Sequence, residues 1–277
     1  MQQRILLSAV MLLLFLALPA VRVSSRQVLS GLGSRSLIAA DPVEGLHAKH
    51  HKPKFRPGPW KNAHATYYGG PDASGTNGGT CGYEDLSKHG YGVLTAALSP
   101  SLFNDGLGCG SCYEINCIND PKWCKPGQPS LFVTGTNLCP SSNDGPSADH
   151  FDLSQPAFLQ IADQIAGIIP IQYRRVPCKR EGGIRFTISG NPYYNKVLVW
   201  NVGGAGDVKM VKVKGSKKLG WTTMKRDWGQ NWITDAMLVG ESLTFRVIAG
   251  DGRSSTAWHV APTNWQFGQT FEGKNFK

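Results

Sequence analysis

The 277 residues include 29 Lys plus Arg against 19 Asp plus Glu, a formal net charge of +10, with 41% hydrophobic and only 17% charged side chains and 33 glycines. This composition is too apolar for a disordered chain and too rich in turn formers for a helical bundle, and the length suffices for two separate cores. A soluble, mostly β protein is expected.

The chain opens on an apolar run from Ile5 to Ala20 behind Arg4, too short for a comfortable membrane span and patterned like a secretory signal peptide. Small residues at Ala17, Ala20, Ser24 and Ser25 offer several cleavage points, and residues 1–25 are assigned to this segment. Residues 26–58 then read as a flexible basic leader, ending in the proline-broken stretch from His47 to Pro59. His47, His50 and His51 within it are solvated basic residues with no metal role. No Asn-x-Ser/Thr triplet occurs, so N-glycosylation is not expected.

From Trp60 to Cys178, short β-like runs alternate with glycine clusters: Ala63 to Tyr68, Tyr113 to Cys117, Leu131 to Thr136 and Ile168 to Val176. That spacing suggests a small closed barrel. One helix is expected from Pro156 to Ala166, where Phe158, Ile161, Ala162 and Ile165 recur at intervals of three and four. The 7 cysteines, Cys81, Cys109, Cys112, Cys117, Cys124, Cys139 and Cys178, all lie in this part. They lack histidines at metal-finger spacing, so in a secreted chain they form a disulfide framework that leaves at least one thiol unpaired, and no metal or other cofactor is implied.

A short charged link, Lys179 to Gly183, leads into clearer alternation. Ile184, Phe186 and Ile188 share a face, Val197 to Trp200 follow, and Leu243, Phe245 and Val247 oppose Ser242, Thr244 and Arg246. These strands suggest a β-sandwich close against the first domain. Lys209, Lys212, Lys214, Lys217 and Lys218 crowd together, with Val211 and Val213 alternating against Lys212 and Lys214 as in an exposed strand. That strip either attracts an acidic polysaccharide or protects a sheet edge. A positive surface outside the cell has little nucleic acid to meet, and anionic membranes or acidic polysaccharides are the commoner partners for such a charge; of these the polysaccharide is assigned, with no nucleic acid and no membrane partner.

Chemistry in the first half concentrates in His150-Phe-Asp152, in the segment from His64 to Gly69, and in the glycine loop from Gly78 to Gly82. At strand spacing His150 and Asp152 point to one side and Phe151 to the other.

The strings His64-Ala-Thr-Tyr-Tyr-Gly-Gly70, Gly79-Thr-Cys-Gly-Tyr83, Thr95-Ala-Ala-Leu-Ser99, Cys109-Gly-Ser-Cys112 and His150-Phe-Asp-Leu-Ser154 come in this order along the first half. Tyr173-Arg-Arg-Val-Pro-Cys178, Asn201-Val-Gly-Gly-Ala-Gly-Asp207, Trp228-Gly-Gln-Asn-Trp232 and Phe267-Gly-Gln-Thr-Phe271 complete the set. Together they closely resemble plant expansins of the α group, in register from Trp60 to the C-terminus. The resemblance implies a six-stranded double-psi β-barrel like that of family-45 endoglucanases over residues 59–180. An immunoglobulin-like β-sandwich that binds cellulose follows over residues 188–272. It further implies a secreted, monomeric plant cell-wall protein that loosens contacts between cellulose and xyloglucan-type glucans at acidic pH without hydrolysis. The lysine strip, and not the resemblance, adds acidic pectin as a further partner.

Glycosidic hydrolysis needs two carboxylates across the scissile bond. Asp152 matches one. Where the related endoglucanases carry the other, at the end of the first strand, this sequence has Gly69 and Gly70 after Tyr67-Tyr68. Asp72 nearby is better explained by turn chemistry. The expectation is therefore no catalytic residue, but a groove formed by Thr66, Tyr68, His150 and Asp152, in which a desolvated Asp152 responds to acid. The alternatives are an endo-β-glucanase, completed by Asp72, Glu84 or Asp85, and a degenerate cellulose-binding protein without loosening activity.

In the second domain the resemblance maps a row of sugar-stacking rings onto Tyr194, Trp228 and Trp265. Trp221, Trp232 and Trp258 are read as core or interdomain packing, and Trp200 is left open. The resemblance also pairs Cys81 with Cys109, Cys112 with Cys178 and Cys117 with Cys124. A Gly-Gly-Trp-Cys-Asn-Pro-Pro string usual before the His-Phe-Asp motif is missing here, which leaves Cys139 as the unpaired thiol. Glu84 and Asp85 stand where the family usually has Gly-Asn.

Overall fold

The computed structural model describes residues 54–127, 130–140 and 148–276. The signal segment, most of the basic leader with its histidines, and the middle of the loop before His150 lie outside the described residues. Among the described residues no helix is long and apolar enough to cross a membrane.

Six strands close the first domain: β1 (Lys61–Tyr68), β2 (Thr95–Leu98), β3 (Cys112–Cys117), β4 (Leu131–Leu138), β5 (His150–Ser154) and β6 (Ile169–Val176). They are ordered β1-β5-β2-β4-β3-β6 in a closed barrel. Two pairings, β1 with β5 and β2 with β4, are parallel, and the rest are antiparallel. Closure leaves no free sheet edge. The interior is filled by alternate residues such as Ala65, Ile115, Phe151, Leu153 and Ile171. Phe151 lies against the rings of Tyr113 and Tyr173, with centroids at 5.0 and 4.8 Å. The sequence reading names β1, β3, β4 and β6 within two residues at each end. It lists no strand at β2, whose four residues are all buried and show no alternation.

The single helix expected from Pro156 to Ala166 is corrected to two pieces. The pieces are α2 (Gln155–Ile161), which stops where Ala162 becomes extended, and a 3₁₀ turn at Gln164–Ala166; a separate short helix, α1 (Pro100–Phe103), precedes β3. Backbone pairing to the segment after β3 breaks the helix: Ala162 bridges Cys124, and the Asp163 N–H donates to the Trp123 carbonyl. Ile165, the last member of the apolar series, is left exposed.

The second domain has two sheets facing each other. One is β11 (Lys225–Trp228), β12 (Asn231–Thr234), β8 (Tyr194–Trp200), β7 (Arg185–Asn191) and β15 (Thr270–Glu272), in that order. The other runs β10 (Thr222–Thr223), β9 (Val208–Lys214), β13 (Leu243–Ala249), β14 (Ser254–Ala261). Ile188, Val197, Val199, Val211, Val213, Phe245 and Val247 fill the space between them, with Phe186 stacked on Phe245.

The two domains share a polar seam. Cys178 and Gly204 exchange backbone hydrogen bonds, the Gln230 amide donates to the Cys109 carbonyl, and Arg175 reaches the Asp207 carboxylate at 2.9 Å. Gly206 sits here at φ +81°, and a Cβ on it would lie 2.3 Å from both the Cys178 sulfur and the Gly110 carbonyl. No other residue fits that approach. Trp200, left open from the sequence, is buried in the seam between the His89 ring and the Arg185 guanidinium.

Candidate functional site

Strands β1 and β5 run parallel with Thr66 opposite Asp152 and His64 opposite His150. Side chains alternate, so Thr66 and Tyr68 share one side of β1 while His150 and Asp152 share the matching side of β5. The Thr66 hydroxyl donates to Asp152 Oδ1 at 2.6 Å and lies 3.0 Å from His150 Nε2. With its only proton turned toward the carboxylate, Thr66 accepts from an Nε2–H of the imidazole. A hydroxyl thus links an imidazole to a carboxylate.

Burial pushes Asp152 above the ordinary carboxylate range, while the Thr66 hydrogen bond and the His150 charge pull it partly back. Burial likewise raises the Tyr68 phenol, opposed by the Asn137 side chain and reinforced by the charges of Asp152 and Cys139. The Tyr68 phenol is thus within electrostatic reach of Asn137, Asp152 and Cys139.

Strand register reveals a residue that sequence reasoning missed. Asp152 is opposite Ala97 on β2, and Ala97 is opposite Asn137 on β4. A row Thr66, Asp152, Ala97, Asn137 crosses four strands, with the small, buried Ala97 between Asp152 and Asn137. Only the register carries this signal. Asn137 Oδ1 also accepts from the backbone and hydroxyl of Thr80, both at 2.8 Å, and so anchors the glycine loop.

Among the described residues the charged group that shifts Asp152 is His150, and no carboxylate contributes. Asp72 is exposed and held in its own turn, where the Ser74 side chain and backbone N–H lower it. Asp85 caps Ser87 and Lys88 and pairs with the Lys88 ammonium. Glu84 is exposed at φ 53°. No group of three or more His, Cys, Asp or Glu side chains is placed to hold a metal ion among the described residues.

The glycine loop leads to the sandwich. Gly82 has φ +81°, and a Cβ there would meet the Trp228 ring at 3.1 Å and the Asn231 side chain at 2.3 Å. Glycine allows the indole to lie against the barrel. Trp228 and Tyr194 are 45% and 44% exposed, and the Tyr194 hydroxyl donates to Asp227 at 3.4 Å.

Trp265 is a correction. It is 4% exposed, packs edge-on to Phe267, and its indole N–H donates to the Glu241 carbonyl at 3.1 Å inside the sandwich core. A ring so placed cannot stack on a chain outside. Trp265→Phe is expected to cost about 1 to 2 kcal/mol by orphaning that carbonyl and to leave cellulose retention unchanged, checked by thermal melts beside a pull-down.

Trp258 is also corrected, since it is 59% exposed, and Trp221 is half-buried on the sandwich's outer surface rather than in its core. Trp232 is buried beneath the Arg226 guanidinium at 4.3 Å. Burial lowers Arg226 to about 10, and it binds the Gly106 carbonyl across the seam. Three disulfides join Cys81 to Cys109, Cys112 to Cys178 and Cys117 to Cys124, and Cys139 forms none.

Comparison with known proteins agrees across both domains. A family model described as the expansin C-terminal domain matches residues 184–262, and one described as a lytic transglycolase matches residues 95–173. Expansin-A32 of Oryza sativa subsp. japonica is 56% identical over 91% of this chain and 97% of its own length. Expansin-A22 of Arabidopsis thaliana is 51% identical over 78% of each. The crystal structure of an expansin from Clavibacter michiganensis matches with a TM-score of 0.61 at 19% identity, covering 78% of this chain and 96% of that one. A mutant of it in complex with cellohexaose matches with a TM-score of 0.60 at the same identity, over 77% and 95%. On the strength of the plant relatives' identity and coverage, this chain belongs to the expansin family.

Proposed function

We propose that this protein loosens plant cell walls at acidic pH by binding cellulose and disrupting its non-covalent contacts with xyloglucan-type matrix glucans, without hydrolysis. The observation that carries this reading is the groove's chemistry: Asp152 is bonded to Thr66 and through it to His150, while the strand that would supply a second acid ends at Tyr68 and is followed by Gly69 and Gly70. A glucan lying there meets one carboxylate, and cleavage by either stereochemical route needs two, about 5 to 9.5 Å apart. The groove can exchange hydrogen bonds with hydroxyls and cannot complete acid–base cleavage.

Grip comes from Trp228 and Tyr194, whose rings present apolar faces to the axial C–H bonds of a flat chain. Secretion to the wall fits the N-terminal apolar segment and the disulfides. Acidic pectin is a further proposed partner, drawn by the lysine-rich strand.

The test combines three readouts. Wild-type protein is expected to extend acid-incubated walls and to release no reducing sugar from soluble glucan. Trp228→Ala, which loses roughly 1.5 to 3 kcal/mol of ring burial, is expected to weaken cellulose retention by about 10-fold or more, and Tyr194→Ala somewhat less. Reducing sugar that appears with wild type and vanishes in Asp152→Asn would establish an endoglucanase instead. Retention without extension would establish a cellulose-binding protein only.

A further inference from the structure

The sandwich has a second face, turned away from the sheet that bears Trp228. On β9 and β13, Val211, Val213, Phe245 and Val247 point into the core, so Lys212, Lys214 and Arg246 point outward. Strand register sets Lys212 directly opposite Arg246, with Thr223 and Thr256 at the two ends of the same row. Like charges opposed across a sheet destabilise it. Here nothing neutralises them: among the described residues no carboxylate pairs with Lys212, Lys214 or Arg246. Glu241 is occupied by the backbone N–H groups of Lys217 and Lys218.

The arrangement is also fixed in place. The Arg246 guanidinium lies 4.4 Å from the Trp221 ring and donates from Nε to the Thr256 hydroxyl at 3.1 Å. Trp221 meets Trp258 edge to face with centroids 6.1 Å apart. The outer Nη groups of Arg246 have no acceptor among the described residues, and Trp258 is left exposed beside them. A held cation flanked by lysines, with indoles alongside, matches a ligand bearing repeated carboxylates on flat rings.

We propose that this face, centred on Lys212, Lys214, Arg246 and Trp258, is a binding site for an acidic polysaccharide of uronate units, separate from the surface that carries Trp228. Charge complementarity selects the occupant: a neutral glucan brings no opposite charge to the three cations, whereas a polyuronate supplies an anion at every sugar. Outward apolar side chains on these two strands are confined to Met210 and Ile248, which face each other and are only partly exposed, so the charged row rather than an aliphatic patch dominates the face. This reading gives a location to the pectin attraction proposed above and stands apart from the cellulose reading, because the two faces belong to different sheets.

The experiment uses the full chain and polygalacturonate as probe, with its fully methyl-esterified form, insoluble cellulose and phosphatidylserine vesicles as comparisons. Lys212→Gln/Lys214→Gln is expected to weaken polygalacturonate binding about tenfold at low salt and to flatten its ionic-strength dependence. Cellulose retention should stay within twofold of wild type, and the thermal midpoint should not fall. Trp258→Ala is expected to weaken the same binding without changing the salt dependence. Lys61→Gln/Lys179→Gln removes the same charge elsewhere and should leave binding unchanged. An equal loss in that control, equal binding of the esterified polymer, or preferential binding to the vesicles that the Lys212/Lys214 pair abolishes would each overturn the assignment.

Discussion

Asp152→Asn is expected to cut acid-induced wall extension about tenfold or more and to remove its rise with acidity. The magnitude follows from losing a hydrogen bond to a charged group, about 1.5 to 3 kcal/mol. The Thr66 hydroxyl between Asp152 and His150 can point either way, depending on whether the carboxyl holds its proton. An amide at position 152 cannot alternate. Because burial raises Asp152 above its ordinary range, the folded protein takes up the proton before an unfolded chain does as pH falls. A carboxyl raised in this way contributes stability that is present at low pH and is lost as pH rises through the raised value. Asp152→Asn should therefore melt above wild type near neutrality, with the gap closing in acid. Extension and its pH profile measured on isolated walls check the first part, and melting curves across the same pH range check the second. An unchanged pH profile would refute the proposed acid response.

The second large effect is on stability. Cys112→Ala/Cys178→Ala opens a bridge between residues 66 apart, and loop-closure entropy puts the loss at about 4 kcal/mol. For a chain of this size that is on the order of a 10 °C fall in midpoint. Cys117→Ala/Cys124→Ala opens a bridge between residues only 7 apart and should cost about 2 kcal/mol. The longer bridge also sits in the seam, where the Cys178 backbone pairs with Gly204 and its sulfur crowds Gly206. Unfolding midpoints of the two double variants decide the matter, and equal losses would contradict this account.

What could be read from the sequence follows from where local pattern and tertiary context agree. The alternation of His150, Phe151 and Asp152 is enforced by the strand itself, so their opposite facings could be stated without a fold. Ala97 and Asn137 carry no local sign of belonging to the groove, because their place depends on a bulged parallel pairing of β2 with β4. Trp265 and Trp258 show the same limit from the other side. Trp265 has polar Asn264 and Gln266 beside it in sequence yet points between the sheets, whereas Trp258, beside apolar Ala257, points out of them. The broken helix at Ala162 is decided by a backbone partner some forty positions earlier, beyond the reach of any periodicity.

Thr66 and Asp152 are 86 positions apart and meet only because β1 is held by β5 on one side and β6 on the other. Such distant pairing is slow to form. Until the ring of strands has shut there is no hydroxyl-to-carboxylate link, so any sensitivity to acid that depends on it is acquired late, as a property of the finished barrel and not of its parts.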